Sequence, residues 1–191
     1  ATLRRQRQMC IRDRPLVGKH NVQNCLAAIS LSRSLNISYT KIKKSISQFQ
    51  GVKRRFSILS NKNGNLIIDD YAHHPSEIKA TLESLKLISK KNIITIIEPH
   101  RFSRLTSFLP DFIKSLSESN SIFVLPVYSA GEKLKSRINS PSFCKLLEKK
   151  FKRKYVYLVT NEKKFFKNLE KEITPGDNIC LLYTSDAADE E

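Results

Sequence analysis

The sequence lacks the features that would place it outside the reducing interior of a cell. None of its apolar runs is long enough to cross a membrane, and the longest have the length of a β-strand. Residues 1–14 are basic and contain no apolar stretch of the kind found in secretory signals. The four cysteines have no metal-binding spacing, which argues against a disulfide framework and a zinc site. We therefore expect a cytoplasmic protein with no metal site and no membrane partner.

Acidic residues are also scarce, with 18 Asp and Glu against 34 Lys and Arg, for a formal net charge of +16. Such an excess can indicate nucleic-acid binding, because Lys and Arg release counterions from phosphate. The lysines are, however, scattered over predicted helix faces, and the aromatic residues fall mostly at core positions instead of on a cationic stacking surface. We expect no nucleic-acid partner, and we keep a basic nucleotide- or nucleic-acid-binding domain as an alternative.

The two ends of the chain have an unusual relationship to each other. Arg4–Asp13 and Cys180–Asp189 can be encoded by DNA strings that are reverse complements over most of their length. Two natural termini would rarely encode each other's complement, whereas the two strands of a transposon-type library adapter would. We therefore predict that residues 1–14 and 180–191 derive from a sequencing adapter, and we assign them no function.

The rest of the sequence predicts two helices followed by an α/β fold. Apolar residues at helical spacing indicate helices over Asn21–Leu35 and Tyr39–Phe49, the second with Ile42, Ile46 and Phe49 facing inward. Strands and helices then alternate, which predicts a Rossmann-like, mostly parallel sheet with flanking helices, and an Asn-Gly pair predicts a hairpin between the first two strands. The predicted strands are Phe56–Ser60, Asn65–Asp69, Asn92–Ile97, Ser121–Leu125, Tyr155–Val159 and one starting near Asn178. The predicted helices are Pro75–Ile88, Ser107–Leu116, Pro141–Phe151 and Glu162–Lys171.

One candidate site follows the second predicted strand, at Asp69-Asp70-Tyr71-Ala72-His73-His74-Pro75-Ser76-Glu77. Ligands of open α/β sheets bind at the carboxyl ends of strands, where a carboxylate can accept hydrogen bonds from ribose hydroxyls. The alternative is that one acid caps nearby backbone. His73 and His74 precede a helix predicted to begin at Pro75, so hydrogen-bond donors and partial positive charge meet there. Metal binding by this histidine pair is disfavoured, because adjacent side chains diverge and no third ligand is evident.

A second candidate site follows the next strand, at Glu98-Pro99-His100-Arg101-Phe102-Ser103-Arg104. The planar guanidinium matches a carboxylate, so Arg101 and Arg104 are candidate ligands of an amino-acid carboxylate or a phosphate. Surface salt bridges are the alternative for these arginines. Arg54 and Arg55 repeat the pattern earlier in the chain and suit the neutralisation of a polyphosphate.

Two asparagines stand at the start of the first helix, in Gly18-Lys19-His20-Asn21-Val22-Gln23-Asn24. An asparagine side chain can read the N6 and N7 edge of adenine through paired hydrogen bonds. An isolated asparagine at a helix start is more often a cap. The sequence leaves both roles open for Asn21 and Asn24.

Taken together, these segments resemble the Mur ligase family. The resemblance covers residues 15–179 and includes Gly51–Phe56 and Val127-Tyr128-Ser129-Ala130-Gly131-Glu132, in which Ser129 replaces the common proline. It implies that residues 15–50 end the family's central ATP-binding domain and that residues 51–179 form a truncated C-terminal domain. The family's P-loop has no counterpart in the chain, so we expect the chain to be inactive on its own.

The motifs are similar to the branch of the family that joins L-alanine to UDP-N-acetylmuramate through an acyl phosphate. This implies the partners UDP-N-acetylmuramate, L-alanine and ATP, with Mg²⁺ held by residues outside this chain. The residues that the resemblance assigns to ATP are Asn21, Asn24, Arg55 and Asp70. Those that it assigns to the amino acid are Tyr71, His73, Arg101 and Arg104. His73 or His100 could help to deprotonate the amine, and the sequence does not choose between them.

Two further alternatives stay open. The sister ligase that reattaches recycled tripeptide to the same nucleotide sugar shares the Asp-Asp-x-Ala-His-His-Pro pattern, but it carries a different sequence in place of His100–Arg104. A non-catalytic nucleotide-sensing relic would retain the same motifs. The sequence does not indicate an oligomeric state.

Overall fold

The computed structural model describes residues 17–62, 64–133, 137–152 and 154–183. Two helices come first, and strands then alternate with helices, which confirms the predicted α/β order. The helices are α1 Lys19–Ser34, α2 Tyr39–Gln48, α3 Pro75–Ile88, α4 Phe102–Ser107, α5 Leu109–Ser115, α6 Ser140–Lys150 and α7 Glu162–Glu172, with a 3₁₀ turn at Leu116–Glu118. The strands are β1 Ser57–Lys62, β2 Asn65–Asp70, β3 Ile93–Ile97, β4 Ser121–Val124, β5 Tyr155–Leu158 and β6 Asn178–Leu182.

The six strands form one mostly parallel sheet in the order β1-β2-β6-β3-β4-β5. Only the β1–β2 pair is antiparallel, as its predicted hairpin requires, and the other four pairs are parallel. The helix predicted over residues 107–116 is α5, Leu109–Ser115, and a separate helix that was not predicted, α4, ends just before it at Ser107. Pro110 explains the break, because it has no N–H and its ring clashes with the carbonyl four residues earlier.

Strand β6 lies between β2 and β3 and pairs with both, so it is a central strand. Cys180 and Leu182 are fully buried in it. The strand continues through Leu182, beyond the predicted domain end at residue 179. The adapter origin of residues 180–191 stays a prediction about DNA, and residues 184–191 and 1–14 lie outside the described part of the chain.

Both faces of the sheet are covered by helices. Helices α3, α5 and α6 cover one face over a core that includes Ile68, Leu82 and Phe112. Helix α7 covers the other face, where Phe165 meets the ring of Phe123 edge-on at 5.5 Å. The sheet is therefore buried on both sides, as a parallel sheet of this class requires.

The first two helices are much less buried than the rest. Helix α1 has no buried side chain, and α2 has one, Ile42. Phe49, predicted to face inward, follows the last residue of α2; it is 45% exposed and lines a cavity between α2 and the start of α3. The α1–α2 unit meets α3 at Gly18, whose φ is +103°. An added Cβ there would lie 2.2 Å from Ser84 Oγ of α3, so this contact requires glycine.

Candidate functional site

The candidate site lies at the carboxyl edge of the sheet, where the loops after β2, β3 and β4 meet. The rings of His73 and His100 are 5.6 Å apart between centroids, and the rings of His100 and Tyr128 are 5.3 Å apart. Parallel strands end at the same edge, which is why segments far apart in sequence converge here. The structure thus brings the two predicted histidine-containing segments together.

The loop after β2 is held by hydrogen bonds to its own backbone. His73 Nδ1 is 3.0 Å from the carbonyl oxygen of Tyr71, and the Tyr71 and His73 rings meet edge-on at 5.4 Å. The amides of His73 and His74 both donate to Glu77 Oε2, at 3.1 and 3.2 Å. The imidazole of His73 is therefore fixed in orientation beside a carboxylate.

His74 has a structural role at the start of α3. Its Nδ1 accepts from the amide of Ser76 at 3.4 Å, and Glu77 completes a capping box with it. Burial alone would raise the pKa of Glu77, but the two amides and the nearby cationic groups hold that pKa below its ordinary value. The helix start predicted at Pro75 is confirmed. His74 caps this helix, whereas His73 precedes the cap, so the two adjacent histidines have different contacts.

The loop after β3 presents the second set of predicted residues. Arg104 Nη1 donates to His100 Nδ1 at 3.1 Å. Burial lowers the pKa of His100, and the nearby Arg104, His73 and Arg101 lower it further. The backbone of Arg101 has a φ of +67°, and its N–H donates to the carbonyl of Tyr128 at 2.8 Å. Its guanidinium is half exposed and lies 4.0 Å from a carboxylate oxygen of Glu132.

Sequence reasoning gave no role to Glu132, although it belongs to one of the motif segments. Its two carboxylate oxygens accept from the amide and the hydroxyl of Ser103, at 3.0 and 2.6 Å. These hydrogen bonds hold the pKa of Glu132 below its ordinary value. Glu132 thereby joins the loop after β4 to the first turn of α4. Its place in the motif was the available signal, but its partner 29 residues away was not predictable.

The two acids at the end of β2 are both nearly buried, at 5% exposure for Asp69 and 6% for Asp70. Asp70 accepts from the amides of Phe56 and Ala72, both at 2.9 Å, while burial raises its pKa. Burial also raises the pKa of Asp69, although Arg54 opposes the shift. The guanidinium of Arg54 lies 4.7 Å from the centroid of the Tyr71 ring. Asp70 thus ties the segment before β1 to the loop after β2, a role that overlaps the capping alternative.

A cavity of about 1010 Å³ lies between the α1–α2 unit and the start of α3. All four residues that the resemblance assigned to ATP line it: Asn21, Asn24, Arg55 and Asp70. The side-chain nitrogen Nδ2 of Asn21 donates to the carbonyl of Val17 at 2.8 Å, so part of the hydrogen-bonding capacity of this side chain is used inside the chain. Arg55 is exposed and lies 3.8 Å from Glu77. The cavity volume is at the upper end of the range of small-molecule sites.

The described residues hold no group of three or more His, Cys, Asp or Glu side chains that could bind a metal ion. The described helices also include none long and apolar enough to cross a membrane. Three acids of the site, Asp70, Glu77 and Glu132, accept hydrogen bonds from backbone amides.

Residues 54–182 match the family described as "Mur ligase, glutamate ligase domain". The chain belongs to the Mur ligase family. The UDP-N-acetylmuramate–L-alanine ligase of Rhizobium johnstonii is 40% identical over 169 residues, which cover 88% of this chain and 36% of that protein. The Wigglesworthia glossinidia brevipalpis ligase of the same name is 39% identical over 176 residues, covering 87% of this chain and 37% of that protein.

Solved structures show the same Mur ligase architecture. The UDP-N-acetylmuramate–alanine ligase of Thermotoga maritima aligns with a TM-score of 0.65 and 30% identity, over 88% of this chain and 35% of that chain. A murein peptide ligase from Psychrobacter arcticus aligns with a TM-score of 0.60 at 22% identity, over 86% of this chain and 34% of that chain, which is a likeness of fold alone. The chain spans about a third of the length of the relatives that it matches.

Proposed function

We propose that the chain is the amino-acid-binding part of an ATP-dependent ligase that joins L-alanine to UDP-N-acetylmuramate in peptidoglycan precursor synthesis. One observation carries the proposal. The cluster that contains His73, His100, Arg101 and Arg104 stands beside a cavity that is lined by a separate set of nucleotide-suited residues. A ligase of this kind needs an amino-acid site and an ATP site next to each other.

The amino-acid site consists of Tyr71, His73, Arg101 and Arg104 in this proposal. The half-exposed guanidinium of Arg101 can pair with the carboxylate of the amino acid. Arg104 is held by its hydrogen bond to His100, so its planar group has a defined direction. These residues bind and orient the incoming amine. Holding the amine against an acyl phosphate lowers the activation barrier of the reaction substantially. His73 or His100 assists the loss of the amine's proton.

The ATP side consists of Asn21, Asn24, Arg55 and Asp70. Arg55 supplies positive charge to a phosphate, and the two asparagines supply amide groups to the adenine. Residues 15–50 then belong to the end of a central ATP-binding domain, and residues 51–182 form the C-terminal domain. The described residues hold no group of three or more His, Cys, Asp or Glu side chains that could bind a metal ion, and a protein usually holds Mg²⁺ by one or two carboxylates together with substrate phosphates. We assign Mg²⁺ and UDP-N-acetylmuramate to the parts of the relatives that this chain does not span.

Neither alternative is favoured by an observation of its own. Phe112, Phe123 and Phe143 are fully buried, but Tyr39, Tyr155 and Phe166 are at least half exposed, so the prediction that the aromatic residues lie mostly at core positions is wrong. The recycling ligase is the second candidate in the family. It would require the His100–Arg104 segment to bind a tripeptide whose amine is the nucleophile. Three cysteines of the described residues, Cys25, Cys144 and Cys180, are free thiols, which suits a reaction in the cytoplasm.

The test is a fusion in which residues 17–182 replace the segment that they match in the Rhizobium johnstonii ligase. We expect ATP consumption that requires both UDP-N-acetylmuramate and L-alanine, and we expect none from the 191-residue chain alone. In the fusion, Arg101→Gln should raise the KM for L-alanine, whereas Asn24→Ala should raise the KM for ATP. A fusion that folds but turns over only with a peptide amine would support the recycling ligase instead.

A further inference from the structure

The two histidines of the site hold their protons on different ring nitrogens. His73 Nδ1 is 3.0 Å from the carbonyl oxygen of Tyr71. A carbonyl only accepts hydrogen bonds, so Nδ1 of His73 carries the hydrogen and Nε2 keeps a free electron pair when the ring is neutral. His100 Nδ1 is 3.1 Å from Arg104 Nη1, and a guanidinium only donates. The neutral His100 ring therefore carries its hydrogen on Nε2.

The charged groups around the two rings also differ. Glu77 is close enough to His73 to interact with it electrostatically, and it also accepts the His73 amide at 3.1 Å. An imidazolium formed at His73 would keep its bond to the Tyr71 carbonyl and gain a carboxylate neighbour. His100 instead faces Arg104, Arg101 and His73, while Glu98 is the carboxylate that opposes them. A carboxylate therefore lies near His73, whereas guanidinium groups lie near His100.

We infer that His73 is the base that removes a proton from the ammonium group of the incoming amino acid, and that His100 stays neutral and offers Nε2–H as a hydrogen-bond donor. The inference rests on the proposed ligase function and deepens it. His73 Nε2 takes one proton from the ammonium group, and the amine nitrogen then forms a bond to the acyl-phosphate carbon. The bond from that carbon to the phosphate oxygen breaks, and the second proton leaves the nitrogen with the departing phosphate.

The tautomers can be measured on the full chain without any substrate. Long-range ¹H–¹⁵N correlation spectra separate the two neutral forms of histidine, and His73→Asn and His100→Asn variants assign the signals. We expect the neutral His73 ring to be protonated on Nδ1 and the neutral His100 ring on Nε2. A His73 ring protonated on Nε2 would overturn the inference, because no electron pair would then face the amine.

The kinetic test uses the active fusion and two nucleophiles. His73→Asn should lower the rate with L-alanine at neutral pH by about 10²-fold or more. Hydroxylamine is uncharged at neutral pH and needs no base, so its rate should fall by a much smaller factor. The loss with L-alanine should also shrink as the pH rises and free amine becomes available. His100→Asn retains an acceptor for Arg104, so it should change the KM for L-alanine but not the pH profile.

His74→Asn is the matched control, since Asn is a good helix cap and His74 is occupied as the cap of α3. It should leave both rates unchanged. Equal losses with both nucleophiles in His73→Asn would mean a structural role and would overturn the inference. An inactive unmodified fusion would overturn the proposed function and this inference with it. An active fusion whose neutral His73 ring is protonated on Nε2 would overturn this inference alone.

Discussion

The sheet domain and the α1–α2 unit differ sharply in how much of their apolar surface is covered. In the sheet domain, all five residues of β3 are buried, and α3 has six buried residues. In the α1–α2 unit, Ile42 is the one buried hydrophobic residue, while Val22, Leu26, Leu31 and Leu35 are each more than half exposed. The residues proposed to bind the amino acid stand on the first region, and the cavity proposed to bind the nucleotide lies between the two. The first half of the proposed site is therefore built on a well-packed support, while the second half depends on how the α1–α2 unit attaches.

The largest expected effect compares one leucine from each region. Leu82 of α3 is 0% exposed, and Leu26 of α1 is 58% exposed. Leu82→Ala should lower the free energy of unfolding by about 2–5 kcal/mol, because it leaves a cavity in the core. Leu26→Ala should change it by no more than about 0.5 kcal/mol. Urea denaturation of the full chain, followed by circular dichroism, measures both. Similar losses in the two variants would mean that α1 is packed as tightly as α3.

Sequence patterns predicted the sheet domain better than the α1–α2 unit. The alternation of strands and helices, the Asn-Gly hairpin and the α3 start at Pro75 follow from local rules, and the structure has all three. The apolar spacing of α1 predicted which face is apolar but not what covers it, and Phe49, which follows α2 and was predicted to face inward, is 45% exposed. Periodicity describes one element at a time, whereas burial depends on a partner.

The candidate site shows the same limit. The residue types that meet at the carboxyl edge were predictable, because strand ends of a parallel sheet converge. The hydrogen bonds that give each residue its role were not. The link between Ser103 and Glu132, the positive φ of Arg101 and the different hydrogen-bond partners of His73 and His100 all depend on loop geometry. The sequence therefore predicted which segments meet at this edge but not how their side chains are bonded.

An intermediate effect is expected where the two regions meet. Gly18→Ala would place a Cβ against Ser84 Oγ in addition to the strain of a positive φ. The variant should weaken the attachment of α1 to α3 and lower the affinity for an ATP analogue by roughly 1–3 kcal/mol, while the sheet domain unfolds at the same denaturant concentration. Gly131→Ala is the control, because Gly131 also has a positive φ but its Cβ would meet nothing within 4 Å. Titration calorimetry in the active fusion measures the affinity, and equal losses in both variants would mean that backbone strain, and not the α3 contact, is responsible.

The smallest expected effect concerns Glu77, which caps α3, lies 3.8 Å from Arg55 and lines the cavity between the two regions. The folded state holds the pKa of Glu77 below its ordinary value of 4.5, so its carboxylate contributes stability that is fully present above pH 4.5. That contribution is lost as the pH falls through the lower folded pKa. Glu77→Gln should therefore lower the free energy of unfolding by about 0.5–1 kcal/mol at neutral pH, as expected for an acid at a helix N-terminus, and by progressively less below pH 4.5.

Glu83→Gln on the exposed face of α3 is the control. It should lower the free energy of unfolding by less and with a weaker pH dependence, because its partner Lys79 is more than half exposed. Urea melts of the three proteins between pH 3 and pH 7 would measure the trend. A Glu77→Gln cost that did not shrink in acid would mean that Glu77 stabilises α3 by packing and not by its charge.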